Sequence, residues 1–201
     1  MIRDHIVLVL AGGEGSRIGG GKPLRRLGGE TLIDRAVAIA RRWSDEVCVA
    51  VRSPGSLGAL DADELRDDPA IEGPLGGLAA GLRFARAAGR EAVLTMACDM
   101  PFLPADLAPR LVEGIGAAAA AVAASGGHLH PVCALWRTEA LDVLPDYLET
   151  GRRSLRRFAE TIGSVVVEWA DQPLDPFFNI NSETDMRCAE VMIAQEGGRK
   201  A

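Results

Sequence analysis

Short apolar segments alternate with longer, more polar segments along most of the chain. The apolar segments have the length of strands and include HIVLVLA at 5–11, EVCVAV at 46–51 and AVLTMA at 92–97, and helical patterns lie between them. Because these strands show no alternation of polar and apolar residues, both of their faces are expected to be buried, as in a parallel sheet covered by helices. The sequence therefore predicts an α/β fold, with a doubly wound, mostly parallel sheet sandwiched by helices.

The second half of the chain continues this alternation, with strands expected near 117–125, 132–136 and 164–170. Some of these strands are expected to run antiparallel, and one long helical stretch is predicted around 138–162. A chain of 201 residues is large enough to bury a sizeable core as one unit. We therefore predict a single domain, with a frayed C-terminal tail at 196–201.

Charge and composition exclude several classes of protein. The formal net charge of -6 argues against broad binding of nucleic acid, which needs a positive surface. No apolar run approaches the roughly eighteen residues of a membrane span, and the N-terminal segment lacks the cleavage site of a secretion signal. The four cysteines form no CxxC pair, as expected of reduced core thiols. We therefore expect a cytoplasmic protein that has neither nucleic acid nor membrane as a partner.

A glycine-rich stretch, LAGGEGSRIGGGKPL at 10–24, follows the first apolar segment directly. Ligands of open α/β sheets bind where strands end, and glycines let backbone amides approach an anion closely. Two known phosphate motifs are excluded by spacing, because Ser16 and Ile18 stand where the P-loop and the dinucleotide-binding motif need glycine. The stretch is either a flexible turn with surface charges or a site for a nucleoside triphosphate faced by Arg17 and Lys22, and the second interpretation is favoured.

Three further segments are expected to converge on the same site. Asp99 stands just past the strand at 92–97, where it suits either a turn or a Mg²⁺ ion, which needs few protein carboxylates. Asn179 and Asn181 alternate on an extended segment, so they point the same way and could orient phosphates or close a strand end. The glycines of EGPLGGLAAGL at 72–82 would admit a nucleoside or allow a helix to pack closely on the sheet.

Taken in order, these motifs resemble those of the molybdenum cofactor guanylyltransferase family, within the larger group of nucleotidyltransferases. The family pattern has a LAGG loop with Arg and Lys, a GPL segment, D-x-P, His-Pro, a G-x-R-S-like stretch and a late F-x-N-x-N. Here these stand as LAGGEGSRIGGGKPL, GPLGGL, CDMP, HLHPVCALW, GRRSLRRF and FFNINSETD. Each motif alone is weak, but six in order across nearly the whole chain are specific.

The resemblance implies a Rossmann-like nucleotidyltransferase fold and transfer of GMP from GTP to the terminal phosphate of molybdopterin or its molybdenum-bound form, with release of pyrophosphate. It assigns GTP binding to Leu10, Gly12, Gly13, Lys22, Asp68 and Asp99, with Asp67 as the neighbouring alternative to Asp68. It assigns Mg²⁺ to Asp99 and the reaction centre to Lys22, Arg17, Asn179 and Asn181. The candidates for gripping the anionic acceptor are His130 and the basic run Arg152, Arg153, Arg156 and Arg157. Transient contact with proteins that insert the cofactor, or with molybdoenzymes, is also implied.

The chain departs from the family pattern at two places. Gly21 stands where the family usually has an Asp before the loop Lys, and NSETD replaces the common N-T-P-E-D. The related cytidylyltransferases usually have a LAAG loop, whereas Gly12 and Gly13 favour guanine here. A guanylyltransferase for cobinamide phosphate shares loops ending in K-P-L, but the His-Pro and G-x-R segments favour molybdopterin. The missing Asp also leaves open a pterin or nucleotide carrier without turnover.

Overall fold

A computed structural model describes residue 2, residues 4–11 and residues 21–199, with side chains described up to residue 195. The predicted site residues Gly12, Gly13 and Arg17 lie outside this part of the chain. The strands are β1 (His5–Leu10), β2 (Arg26–Leu27), β3 (Glu30–Thr31), β4 (Val47–Val51), β5 (Asp63–Arg66), β6 (Ala92–Ala97), β7 (Ala120–Ser125), β8 (His128–Arg137) and β9 (Ser164–Trp169). The helices are α1 (Leu32–Ala40), α2 (Pro74–Ala87), α3 (Leu107–Gly114), α4 (Ala140–Glu149), α5 (Leu155–Ile162) and α6 (Glu183–Arg199), and a 3-10 turn covers Lys22–Leu24.

Seven strands form one sheet in the order β5-β4-β1-β6-β8-β7-β9. Strands β5, β4, β1 and β6 are parallel neighbours, and β7 is parallel to β9. Strand β8 is antiparallel to both β6 and β7. The mostly parallel sheet is therefore confirmed, and the expected antiparallel strand is β8.

Helices cover both faces of this sheet. On one face α1 and α3 share a core cluster with alternate strand residues such as Val7 and Val9, and on the other face α2, α4 and α5 share a cluster with Ile6 and Leu8. All four of these β1 residues are fully buried, which is why the strand is apolar throughout. The doubly wound sandwich is confirmed. None of the helices within the described ranges is long and apolar enough to span a membrane.

The structure divides one predicted helical stretch. The stretch predicted around 138–162 is two helices, because Gly151 has a left-handed φ of 77° and Ser154 then starts α5 by accepting a hydrogen bond from the Arg157 amide. At the C-terminus the helical backbone of α6 continues to Arg199, and the fraying expected at 196–201 stays a prediction.

A bulge interrupts the hairpin of β7 and β8. Val122 is opposite Ala134, but the next β7 residue, Ala123, is opposite His130, so three residues of β8 lack a partner in β7. Pro131 is the first of them, and it has no amide proton to donate to a ladder. The bulge brings His130 close to the carboxyl end of β7.

Glycines on α2 allow this helix to lie very close to the sheet. A Cβ atom at Gly81 would lie 2.6 Å from Cδ2 of Leu8, and one at Gly77 would lie 2.9 Å from Cδ2 of Leu10. These distances are too short for carbon atoms, so both positions require glycine for packing. Close packing of the helix therefore explains Gly77 and Gly81, whereas Gly73, at the helix start with φ 73°, faces a cleft.

Replacing Gly81 with alanine should lower the free energy of unfolding. The new methyl group would overlap fully buried Leu8, at a cost of about 1 to 3 kcal/mol that the better helix propensity of alanine only partly offsets. Leu8→Val removes the overlapping atom, so urea unfolding of G81A, L8V and the double variant should show a loss smaller than the sum of the two single losses. Strictly additive losses would contradict the proposed contact.

Candidate functional site

The carboxyl ends of neighbouring strands bring Lys22 and Asp99 together. Parallel pairing of β1 with β6 sets Leu10 beside Ala97, and Asp99 follows two residues later. Nζ of Lys22 forms an ion pair with Oδ2 of Asp99 and donates to Oδ1 of Asn181 at 3.1 Å. Lys22 is only 8% exposed. The end of the glycine-rich loop and two of the three other predicted segments thus meet at one point.

An extended strap, residues 175–181, holds the asparagines at this edge. The amide of Ile180 donates to the carbonyl oxygen of Asp99 at 3.0 Å, and the amide of Asn181 donates to Oδ2 of Asp185 at 2.9 Å. The second bond, together with the hydroxyl of Ser182, holds the pKa of Asp185 below its usual value. Asn181 is therefore fixed by its backbone at the start of α6 and by its side chain on Lys22.

Three buried oxygen atoms at this edge have no hydrogen-bond partner within the described ranges. They are Oδ1 of Asp67, Oδ1 of Asp99 and Oδ1 of Asn179. Burial raises the pKa of Asp67, and the nearby Arg52 only partly opposes that effect. Buried acceptors normally have a partner, so these oxygens indicate a place for a ligand with hydrogen-bond donors or for a cation.

A cleft in two parts connects these residues. The inner cavity, of about 280 Å³, lies between the sheet and the start of α2, with Leu10, Asp67, Gly73 and Asp99 in its wall. An outer cavity of about 520 Å³ shares Asp67 and Gly73 with it and is also lined by Asp68. Asp67 is therefore the carboxylate common to both parts.

The two adjacent aspartates after β5 have different environments. Asp68 accepts hydrogen bonds from Arg83 at 2.6 Å and from the Ala70 amide at 2.9 Å, and these bonds hold its pKa below the usual value. Oδ1 of Asp67 has no partner among the described residues, and the side chain lines the inner cavity. The GTP assignment of Asp68 stays a prediction, but the geometry favours Asp67. The signal in the sequence was its place as the first residue past β5, which ends at Arg66.

His130, a predicted acceptor ligand, belongs to a cluster that the sequence did not reveal. Its Nε2 lies 2.7 Å from the hydroxyl of Ser125, which also donates to Asp175 at 2.9 Å. Its ring stacks on Phe177, with the ring centres 4.5 Å apart. The members come from the ends of β7 and β8 and from the strap, so only the strand order brings them together.

The four arginines of the basic run after α4 differ in whether their side chains have partners among the described residues. Arg153 donates to the carbonyl oxygens of Leu148 and Arg152, which closes the turn between α4 and α5. Arg156 and Arg157 pair with Glu160 on the exposed face of α5. The side chain of Arg152 is exposed and has no partner in the part of the chain that the structure describes. Arg152 is thus the member of the run whose guanidinium group is not already engaged by the described residues.

No three His, Cys, Asp or Glu side chains of the described residues are grouped so as to hold a metal ion. A closed protein cage for a metal is therefore absent from that part of the chain. An ion that takes one or two oxygens from the protein and the rest from phosphate and water is compatible with the buried, unpartnered Oδ1 of Asp99.

Known proteins resemble the chain over most of its length. A family model described as the MobA-like NTP transferase domain matches residues 7–166. The molybdenum cofactor guanylyltransferase of Cereibacter sphaeroides is 37% identical over 191 residues, which cover 94% of this chain and 97% of that protein. The protein of the same name from Acidiphilium cryptum is 40% identical over 188 residues, with 92% and 93% of the two chains covered.

A solved structure supports the fold. Molybdopterin-guanine dinucleotide biosynthesis protein A from Archaeoglobus fulgidus matches with a TM-score of 0.76 at 24% identity, over 94% of this chain and 98% of that one. The Rossmann-like nucleotidyltransferase fold predicted from the sequence is thereby confirmed.

The ion pair of Lys22 and Asp99 should contribute to stability as well as to the site. D99N leaves a nearly buried ammonium group without an anionic partner, so it should lower the free energy of unfolding by roughly 2 kcal/mol. K22M in the same chain removes the unpaired charge and should restore part of that loss. Urea unfolding of the two single variants and the double variant measures this coupling, and a D99N protein as stable as the wild type would show that the pair is fully hydrated.

Proposed function

This chain belongs to the family of MobA-like NTP transferase domains, and from that membership we propose that it is a molybdenum cofactor guanylyltransferase. It transfers GMP from GTP to the terminal phosphate of molybdopterin, or of its molybdenum-bound form, and releases pyrophosphate. The observation that carries the proposal is the 37% identity to an enzyme of that name over 94% of the chain. We assign the reaction to the cleft at the carboxyl ends of β1, β5 and β6.

The reaction needs positioning and charge neutralisation more than a strong base. An oxygen of the acceptor phosphate, already ionised at neutral pH, bonds to the α-phosphorus of GTP while the bond from that phosphorus to the bridging oxygen of pyrophosphate breaks. A preorganised cation stabilises the charge that builds up during this exchange. Lys22 is such a cation, fixed between Asp99 and Asn181. We assign a similar role to Arg17, which lies outside the described residues.

We propose Mg²⁺ as the cofactor, held by Asp99. The donor set fits a hard cation, because Oδ1 of Asp99 and Oδ1 of Asn179 are buried oxygens without a protein partner in the described ranges. The bound ion supplies charge neutralisation on the phosphates. Lys22 holds the second oxygen of Asp99, so the side chain can present Oδ1 to the ion while Oδ2 stays on the lysine.

Guanine selection is assigned to the wall formed by Leu10, Gly73 and Asp67. A carboxylate can accept hydrogen bonds from N1–H and the exocyclic amine of guanine, a pair of donors that cytosine does not offer. Asp67 has the free, buried oxygen that such recognition needs, whereas the carboxylate of Asp68 already binds Arg83.

The surroundings of the cysteines support a location of the protein in the cytoplasm, where thiols stay reduced. Cys48, Cys98, Cys133 and Cys188 are free. Burial raises the pKa of Cys98 and of Cys133 to about 12, so both remain unreactive thiols in the core. We also propose transient contact with proteins that insert the cofactor or receive it.

The activity is tested by incubating the protein with molybdopterin and GTP, CTP or ATP, followed by mass analysis of the pterin product and measurement of pyrophosphate. We expect the GMP adduct with GTP, little product with CTP or ATP, and loss of transfer when a chelator removes divalent cations. A cytidylyl product would favour the CTP-dependent branch. Nucleotide binding without any pyrophosphate would favour the carrier.

Two neighbouring variants locate the guanine contact. D67A should lower the ratio of kcat/KM for GTP to that for CTP by about tenfold or more, the effect of losing a charge-assisted hydrogen bond. D68A is the matched control, because it removes a carboxylate of the outer cavity that Arg83 already occupies. A preference that changes in D68A and not in D67A would restore the assignment made from the sequence.

A further inference from the structure

Ser125, His130 and Asp175 form a hydrogen-bonded row that the proposed chemistry leaves unused. The hydroxyl oxygen of Ser125 lies 2.7 Å from Nε2 of His130 and 2.9 Å from Oδ1 of Asp175. Ser125 is 2% exposed, so water does not compete for these bonds. The serine, rather than the histidine, is the central member, which differs from the order needed to activate a serine nucleophile.

The donors and acceptors along the row determine which ring nitrogen of His130 carries a proton. Oδ1 of Asp175 also accepts a hydrogen bond from the Phe177 amide at 2.9 Å, so it acts as an acceptor. A carboxylate has no proton to donate, so the single hydroxyl proton of Ser125 goes to Asp175. The serine oxygen must then accept from His130, which requires a proton on Nε2. A neutral His130 therefore has its lone pair on Nδ1.

Aromatic packing holds the imidazole ring in this orientation. One face of His130 stacks on Phe177 with 9° between the planes, and Trp169 packs edge-on against Phe177 at 5.5 Å. Burial lowers the pKa of His130, helped by His128, and the charges of Asp175 and Glu168 only partly oppose this, so the ring is neutral at pH 7. Nδ1 has no hydrogen-bond partner among the described residues.

The strand order brings His130 to the edge of the sheet at which the cleft opens. Strand β8 runs against its neighbours, so its first residues lie at the edge where β6 ends. Val132, two residues after His130, lines the inner cavity together with Asp99. The strap that carries Phe177 continues to Asn179 and Asn181.

We propose that Ser125 and Asp175 are positioning residues that hold His130 with its proton on Nε2, so that Nδ1 accepts a hydrogen bond from a ring N–H or amino group on the heterocycle of the acceptor substrate. A bare nitrogen and a phosphate oxygen both present lone pairs and repel each other. His130 therefore recognises the heterocycle of the acceptor, and other residues such as Arg152 bind its anionic part. The identity of the acceptor rests on the proposed function, whereas the tautomer does not.

The tautomer is tested without any reaction. Long-range ¹H–¹⁵N correlation of the ¹⁵N-labelled protein at pH 7.5 distinguishes the two tautomers, and the chain has only three histidines. H130Q identifies the signal of His130. We expect the Nε2–H tautomer in the wild type and in S125T, which keeps the hydroxyl, and a mixture of tautomers in S125A. A proton on Nδ1 in the wild type, or an unchanged signal in S125A, would overturn the proposal.

Kinetics test the contact with the acceptor. S125A should raise KM for the acceptor by about tenfold, as expected for one lost hydrogen bond, and leave KM for GTP unchanged, whereas S125T should restore the wild-type KM. Melting temperatures of both variants show whether they fold. Equal rises in both KM values, or a changed tautomer with an unchanged KM for the acceptor, would overturn the contact. A wild-type protein that transfers no GMP would refute the proposed function, and the NMR result would still decide the tautomer.

Discussion

The nearly buried ion pair between Lys22 and Asp99 is the constraint on which the arrangement of the site depends. A charge held away from water is stable only beside an opposite charge, so the chain after β1 must return to the end of β6. Asn181 adds a third attachment, since its side chain accepts from the same ammonium group. The pair thus joins the first strand, the middle of the sheet and the beginning of the last helix.

Opposite sides of this ion pair have different chemistry. Toward β5 the cleft offers Oδ1 of Asp67, which has no partner among the described residues, and the backbone at the start of α2. Toward β8 the edge of the sheet holds the imidazole of His130, stacked on the buried ring of Phe177. A base with hydrogen-bond donors suits the first side and a planar heterocycle the second, so the phosphates of the two substrates would meet between them.

The fold was predictable because its strands are apolar on both faces, and the position of Asp99 at the edge of the sheet was predictable because it follows such a strand. The choice between Asp67 and Asp68 was not, because it depends on Arg83, fifteen residues away, which occupies one of the two carboxylates. Pro131 marks a bulge only once the register of β7 and β8 is known. The row of Ser125, His130 and Asp175 was hidden for the same reason, since adjacent strands and a distant loop supply its members.

The pairing of β6 with β8 joins the two halves of the sheet. Strands β6 and β8 pair from Ala92 opposite Arg137 to Thr95 opposite Ala134, and the pairing stops before β6 ends. The first half, from β5 to β6, holds Asp67, Lys22 and Asp99, and the second half supplies the imidazole and the aromatic cluster. The carboxylates and the lysine on one side and the imidazole on the other therefore belong to different strands of the sheet. In evolutionary terms the architecture allows a new acceptor to be adopted while the nucleotide donor is inherited unchanged.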